Sequence, residues 1–185
     1  RCWGRPVRCS PRWTRGSASS AAVEPDAHVN PPNAAAEQQA QELRVKVADY
    51  AVASGNAVIS TIGLGSCVAI MLYDGSSRIG GLAHILLPSE GLSLDSENRA
   101  KFPSTAIPLL VEEMRKRGAW GRPIAKIVGG ASMFSSLLPS SGINMGERNV
   151  EATKRVLRLA EIPLVASDTG GEHGRSVYFH LTDGR

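Results

Sequence analysis

A cysteine and a histidine seventeen residues apart are the side chains of this sequence with the most evident chemical potential. Cys67 directly follows a Gly-Leu-Gly-Ser turn in TIGLGSCVAIMLYD, and His84 lies in GGLAHILLP. The thiolate is the reactive form of cysteine, but a free thiol with a pKa of about 8.5 is mostly protonated at neutral pH. A neighbouring imidazole can remove that proton and stabilise the resulting anion. The pair therefore predicts nucleophilic catalysis if the fold brings the two side chains together.

A predicted β-hairpin provides that proximity. The runs CVAIMLYD and RIGGLAHILLP alternate like strands and are separated by Asp-Gly-Ser-Ser, which is typical of a hairpin turn. A loop centred on Gly75–Ser76 puts Cys67 directly opposite His84 on one face, with Cβ atoms about 4.5–5.5 Å apart. A two-residue loop at Asp74–Gly75 makes His84 the diagonal neighbour instead, still on that face. A loop of odd length or a bulge removes the alignment.

The residues before Cys67 offer further parts of a catalytic site. Gly65 and Ser66 contribute backbone without bulky side chains, and the N–H groups of Ser66 and Cys67 can point at a developing oxyanion. The hydroxyl of Thr61, on the segment leading into the turn, can orient His84. A phosphate-binding loop is a weak interpretation of the same glycines, because no helix, lysine or acidic partner follows at the required distance.

Both central residues also have an ordinary structural interpretation. Free cysteine is among the most buried residue types and often only fills a core. His84 can equally be a buried histidine whose hydrogen bonds are satisfied. Residue spacing alone leaves catalysis and core packing as open alternatives.

The surrounding pattern predicts an α+β fold, as a three-layer sandwich with mixed or antiparallel sheets and outer helices. LRVKVADYAV reads as one strand, and IAKIVGG, IPLVASD and SVYFHL as three more. Apolar residues at helical spacing predict a helix over 104–117, and a second helix over 150–161 with Asn149 as its N-cap. Residues 132–148 read as a long loop. Strands outnumber helices and short turns join many of them, which argues against a doubly wound parallel sheet.

Composition divides the 185 residues into two parts. Residues 1–40 contain five Arg against three acidic residues and few β-branched or aromatic ones, so we expect a disordered, basic, Pro- and Ala-rich tail. Residues 41–185 carry the hydrophobic patterning of one domain. The chain has no Lys/Arg stripe interleaved with aromatics, so nucleic-acid binding is not predicted.

Several further function classes find no support in the sequence. Two of the three cysteines lie in the tail, which favours a reducing, cytoplasmic compartment over a disulfide framework. The longest clean apolar run, Val68–Tyr73, is too short to span a bilayer, so membrane insertion is not expected. The other histidines, His28, His173 and His180, are scattered without metal-ligand spacing. Neither a metal site nor a cofactor is therefore predicted.

Six sequence blocks together resemble one known family. In chain order they are TIGLGSCVAIMLYD, GGLAHILLP, KFPSTAIPLL, AKIVGGASMF, NMGERNVEAT and SDTGGEHGRSVYF. These blocks resemble the CheD family of bacterial chemotaxis proteins, and the resemblance covers about residues 43–184. The family pattern continues with a final strand beyond Thr-Asp-Gly-Arg, so the domain is expected to lack that strand.

The resemblance implies a chemoreceptor glutamine deamidase. Such an enzyme hydrolyses selected glutamine side chains of methyl-accepting chemotaxis receptors to glutamate, without a cofactor. The family's catalytic Cys, His and Thr fall on Cys67, His84 and Thr61. Its fold is similar to a bacterial toxin domain that deamidates a glutamine of small GTPases. Gly130 and Ser132, in Gly-Gly-Ala-Ser, either let substrate backbone approach closely or form a tight turn.

The resemblance also implies a protein partner. The family binds and stimulates a CheC-type phosphatase, so a chain of this kind can act as an adaptor for receptor helices and that phosphatase without turnover. A third interpretation is another Cys-His acyl-transfer chemistry, such as a peptidase or transglutaminase. The sequence contains the complete set of Cys67, His84 and Thr61, which favours retained catalysis.

Overall fold

Eight strands and two α-helices make up the part of the chain that a computed structural model describes, residues 41–95, 97–132 and 144–185. The strands are β1 Gln41–Arg44, β2 Tyr50–Ser54, β3 Ala57–Leu64, β4 Val68–Asp74, β5 Ile79–Ile85, β6 Ile124–Gly129, β7 Leu164–Thr169 and β8 Arg175–His180; the helices are α1 Pro103–Lys116 and α2 Met145–Leu159, with a short 3₁₀ turn at Glu90–Leu92. The expected tail, 1–40, and most of the expected loop, 132–148, lie outside the described residues.

The strands form two mixed sheets. A five-stranded sheet has the order β2-β5-β4-β6-β7, and a three-stranded sheet the order β1-β3-β8. The pairs β1–β3 and β6–β7 are parallel, whereas the other pairs are antiparallel. The predicted α+β class with mixed sheets is therefore confirmed.

Strand β4 lies at the centre of this arrangement and is buried along its whole length. Its alternate residues Val68, Ile70 and Leu72 join a hydrophobic cluster with α1 and α2. The intervening residues Ala69 and Met71 join a second cluster with the three-stranded sheet. Successive side chains of a strand point to opposite faces, so three layers result: helices, five-stranded sheet and three-stranded sheet.

The β4–β5 hairpin has a different register from those considered above. Its loop is the four residues between Asp74 and Ile79, and Ala69 lies opposite His84. The Asp74 carboxylate accepts hydrogen bonds from the Ser76 N–H and hydroxyl and from the Ser77 hydroxyl, which stabilises a loop centred one residue further along the chain than predicted. Direct pairing of Cys67 with His84 was therefore a wrong prediction. Cys67 comes two residues before Ala69, which makes it a diagonal neighbour of His84.

Helix α2 begins earlier than the sequence predicted. Asn144 is its N-cap, with a side chain that accepts a hydrogen bond from the Glu147 N–H at 3.1 Å. Asn149 lies inside the helix and is fully buried, so its prediction as the N-cap is wrong. Both asparagines suit a cap by residue type, and the pattern could not show that Asn149 binds tertiary partners instead.

The segment LRVKVADYAV is two strands in two different sheets, where the sequence predicted one. The chain turns between β1 and β2 at Ala48, which has a φ of 57°. Two backbone hydrogen bonds hold the turn. The Val45 N–H donates to the Ser60 carbonyl, and the Ala48 N–H donates to the His84 carbonyl. The predicted helix over 104–117 and the strand IAKIVGG are confirmed by α1 and β6. Neither helix has the length and apolar character needed to cross a membrane.

Candidate active site

Two of the sequence-predicted residues meet between the two sheets. Thr61 projects from β3 of the three-stranded sheet and His84 from β5 of the five-stranded sheet, and both are completely buried. Their side chains are hydrogen-bonded, with 2.7 Å between Thr61 Oγ1 and His84 Nδ1. The contact that the predicted role of Thr61 requires is present, and the role itself stays a prediction.

The same hydroxyl fixes the tautomer of the imidazole. Thr61 Oγ1 also donates to the Val45 carbonyl oxygen at 2.9 Å. A threonine hydroxyl has one hydrogen, so in the contact with His84 it is Nδ1–H that donates and Oγ1 that accepts. In the neutral ring Nε2 then carries a lone pair and no proton. Nε2 is buried and lacks a hydrogen-bond partner among the described residues. Its lone pair is therefore not engaged by any described residue.

Cys67 lies on the same side of the five-stranded sheet as this base and is not hydrogen-bonded to it. Cys67 directly precedes β4, is partly buried and packs against the hydrophobic cluster between the two sheets. Ala69 of β4 belongs to the same cluster. Ala69 is directly opposite His84. Diagonal neighbours in an antiparallel pair are about 7–8 Å apart at their Cα atoms, within reach of longer side chains. Since Nε2 is unpartnered in the described structure, no hydrogen bond joins it to the thiol.

Burial favours the neutral form of both groups. It raises the pKa of the Cys67 thiol, although the residue's own backbone N–H acts in the opposite direction. Burial also lowers the pKa of His84. Desolvation penalises charge, so burial favours a thiol and a neutral imidazole over a thiolate–imidazolium pair.

The turn carrying Cys67 is held by its carbonyl oxygens. The Gly65 carbonyl accepts from the Ala131 N–H at 2.7 Å, and the Cys67 carbonyl from the Gly130 N–H at 2.8 Å. The Ser66 carbonyl accepts from the Asn149 side chain at 2.8 Å. In a trans peptide the C=O and the next N–H point in opposite directions. The N–H groups of Ser66 and Cys67 therefore point away from the partners of the preceding carbonyls.

Close packing explains the glycines next to this turn. A Cβ on Gly129 would collide with the Cys67 carbonyl, and one on Gly130 with Val150 and with the Gly146 carbonyl of α2. Both glycines also have positive φ, 118° and 67°. The backbone approach that the sequence suggested at Gly130 is thus made by helix α2. Its predicted part in substrate binding stays a prediction.

Gly130 and Ser132 line a cavity of about 270 Å³ beside α2, whose other walls include Glu147, Lys154 and Gly170. The lining does not include Cys67 or His84. The cavity is nevertheless adjacent to the site, because Gly130 binds the Cys67 carbonyl. Within the described ranges, no three His, Cys, Asp or Glu side chains are grouped so as to hold a metal ion.

Asn149 is a site residue that the sequence did not reveal. Its Nδ2 donates to the Ser66 carbonyl at 2.8 Å and to the Leu86 carbonyl at 3.0 Å. Its Oδ1 is buried and, like His84 Nε2, has no partner in the described structure. The available signal was that Asn149 is polar and adjoins the apolar face of the helix. Its interpretation as the N-cap concealed that signal.

Comparison with known proteins decides the family. A family model described as CheD chemotactic sensory transduction matches residues 86–185. A curated protein of Caldanaerobacter subterraneus subsp. tengcongensis is 51% identical over 144 residues, 77% of this chain and 89% of its own length. The chain belongs to the CheD family.

Other CheD relatives agree in name. That bacterial protein and one from Pyrococcus horikoshii are both named "Probable chemoreceptor glutamine deamidase CheD", the latter 47% identical over 78% of this chain and 90% of its own length. A Clostridium botulinum protein of the same name is 44% identical over 78% of this chain and 90% of its own length. The family model matches this chain from residue 86 onward. The three candidate catalytic residues precede the matched segment.

Proposed function

We propose that this protein deamidates glutamine side chains of methyl-accepting chemotaxis receptors in the cytoplasm, with Cys67 as nucleophile, His84 as acid–base group and Thr61 as the residue that orients His84. The names of its relatives supply the reaction and the receptor substrate. The observation that carries the residue roles is the Thr61–His84 pair, which leaves a buried, unprotonated Nε2 beside the face of Cys67.

The reaction begins with proton transfer. Cys67 Sγ–H gives its proton to His84 Nε2 as the sulfur attacks the carboxamide carbon of the receptor glutamine. The carbonyl π electrons move to oxygen, and the N–H groups of Ser66 and Cys67 donate to the resulting oxyanion. The proton transfer requires Cys67 Sγ to come within hydrogen-bond distance of His84 Nε2 when the receptor glutamine binds.

Two further steps release the products. The imidazolium of His84 protonates the amide nitrogen, the C–N bond breaks, ammonia leaves and a thioester remains on Cys67. Neutral His84 then takes a proton from water, which attacks the thioester carbon. The C–S bond breaks, the sulfur leaves as thiolate and recovers its proton from His84. The net reaction converts one carboxamide and one water into one carboxylate and one ammonium.

Ammonia release from a purified receptor cytoplasmic fragment tests this function. We expect ammonia in step with an amide-to-acid mass increase of the fragment, and neither product with Cys67→Ala. Shortened fragments would point to peptidase chemistry, and incorporation of an added amine to a transglutaminase. Both outcomes would contradict deamidation.

Adaptor activity is the alternative that the same assay separates. A folded protein that binds receptor fragments or a CheC-type phosphatase, yet releases no ammonia from any of several receptors, would overturn the deamidase proposal. The complete Thr61, His84 and Cys67 set favours turnover, since an adaptor has no need of an unpartnered buried base.

A further inference from the structure

We propose that Asn149 is a positioning residue of this active site, a brace between the turn that carries Cys67 and the end of the strand that carries His84. The inference deepens the proposed deamidase function and rests on it for the activity of the variants. It starts from two hydrogen bonds made by one buried side chain.

The two acceptors lie next to the two reacting groups in the chain. Ser66 directly precedes Cys67, and Leu86 comes two residues after His84, just beyond the end of β5. Asn149 donates one amide hydrogen to each carbonyl, at 2.8 and 3.0 Å. Because an asparagine amide has two hydrogens, this side chain uses its full donor capacity to join the Cys67 turn to the His84 strand.

The chemistry of the acceptors fixes the amide orientation. A flipped side chain would set its oxygen against two carbonyl oxygens and leave three acceptors facing one another. The observed orientation instead leaves Oδ1 buried without a partner in the described structure. An unsatisfied buried acceptor destabilises the fold and offsets part of the stability that the two hydrogen bonds contribute.

The bond to Ser66 also orients the group proposed to hold the oxyanion. The Ser66 carbonyl and the Cys67 N–H share one planar trans peptide, and the described residues contain no cis peptide bond. Anchoring that carbonyl on α2 therefore directs the Cys67 N–H away from the helix. The same N–H favours the thiolate of Cys67, so loss of the brace should affect both position and ionisation.

Helix α2 is well placed to carry the brace. Gly130 and Gly146 bring the helix into close contact with the end of β6, where a Cβ on either residue would collide with the other segment. Asn149 is one turn further along and completely buried. Thr153, one turn beyond it and also buried, donates to the Asn149 backbone carbonyl at 2.8 Å and contacts neither Ser66 nor Leu86 in the hydrogen-bond network.

The test compares Asn149→Leu with Thr153→Val in the full chain, with Cys2 and Cys9 changed to Ser so that thiol modification reports Cys67. Asn149→Leu keeps the branched shape of the side chain, with a larger volume, and removes both hydrogen bonds, whereas Thr153→Val removes one buried hydrogen bond in the same helix. Asn149→Ser, which is shorter and can bond to its own helix, carries the test if the leucine variant does not fold.

Two readouts are measured below the unfolding temperature of each variant. We expect kcat for receptor deamidation to fall about 100-fold in the Asn149 variant with KM changed less than about threefold, as for a misplaced catalytic group. We also expect the pH dependence of iodoacetamide alkylation to give a higher apparent pKa for Cys67. Thr153→Val should leave both readouts near those of the parent protein.

The inference is overturned if the Asn149 and Thr153 variants show the same kcat and the same alkylation profile. If the parent protein itself does not deamidate receptors, the proposed function fails. The alkylation profile then still decides whether Asn149 positions Cys67, since it needs no substrate.

Discussion

The two ends of strand β4 both bury polar groups, but they treat them differently. At the hairpin end Asp74 is 2% exposed, and its two oxygens accept four hydrogen bonds, from Ser76, Ser77 and the Gly121 N–H. At the opposite end, next to Cys67, His84 Nε2 and Asn149 Oδ1 are buried with no partner among the described residues. At the hairpin end the buried polar atoms have hydrogen-bond partners, whereas at the Cys67 end two buried polar atoms have none among the described residues.

The difference separates structure from chemistry. Fully paired buried polar groups stabilise a fold, whereas each unpaired one costs free energy. Burial raises the pKa of Asp74, but the hydrogen bonds outweigh it and bring the pKa down to about 2. At the other end desolvation is the largest cause of the pKa shifts, and it raises the pKa of the Cys67 thiol and lowers that of the His84 imidazole. We infer that the hairpin end holds the strand in register and that the Cys67 end performs the reaction.

Among the substitutions that keep the Cys67 thiol, replacing the unpartnered base should have the largest effect. His84→Gln keeps a polar side chain but has no group that can exchange a proton at neutral pH. Since general acid–base catalysis contributes about 100- to 10,000-fold, we expect deamidation to fall by about 1,000-fold. Ammonia release measures this, and thermal unfolding confirms the fold. Activity within tenfold of the parent protein would remove His84 from the mechanism.

The Thr61 hydroxyl should matter less, because it acts through His84. Thr61→Val removes the acceptor for Nδ1–H and the donor to Val45, so neither ring orientation nor tautomer is fixed. We expect kcat to fall by up to about 100-fold and Thr61→Ser to restore most of it. If the serine variant were no better than the valine variant, the hydroxyl would not be what matters.

The activity should depend on pH through His84. Burial lowers its pKa from the usual 6.5, so the ring stays neutral, and able to accept the thiol proton, to a lower pH than a free histidine would. The acid limb of kcat/KM, which reports groups of the free enzyme, should therefore have its midpoint below pH 6.5. A midpoint at or above 6.5 would contradict a buried, neutral base.

Asp74→Asn should affect stability and leave catalysis unchanged. The folded pKa of about 2 lies below the usual 3.8, so the native state binds the proton less tightly than the unfolded chain. Ionised Asp74 thus stabilises the fold by about 2 kcal/mol above pH 4, and this contribution disappears as pH falls toward 2. Denaturant unfolding of both proteins at pH 7 and pH 3 measures it. An equal stability deficit at both pH values would contradict the assignment.

The sequence predicted the fold class, α1 and β6 well because their hydrophobic periods are long and regular. It failed where tertiary contacts override the local pattern. The turn at Ala48 breaks an apparently continuous strand so that its halves join different sheets. The hydrogen bonds of Asp74 select a hairpin loop centred one residue further along the chain than predicted. Neither effect has a signal in residue spacing.

The candidate site was predictable only in part, for the same reason. The spacing of Cys67 and His84 put them on one hairpin face, and Thr61 was predicted from its place before the turn and again from the family resemblance. The side chain of Asn149 could not be placed, because its partners, Ser66 and Leu86, are remote in sequence and are contacted through their backbone. Backbone acceptors leave no trace in residue type.

The most direct test treats one receptor cytoplasmic fragment in parallel with the parent protein, Cys67→Ala and Asp74→Asn, and reads the intact mass of the fragment. The account predicts the amide-to-acid mass increase with the parent protein and with folded Asp74→Asn, and none with folded Cys67→Ala. Full conversion by Cys67→Ala, or its loss in folded Asp74→Asn, would contradict the division of roles between the two ends of β4.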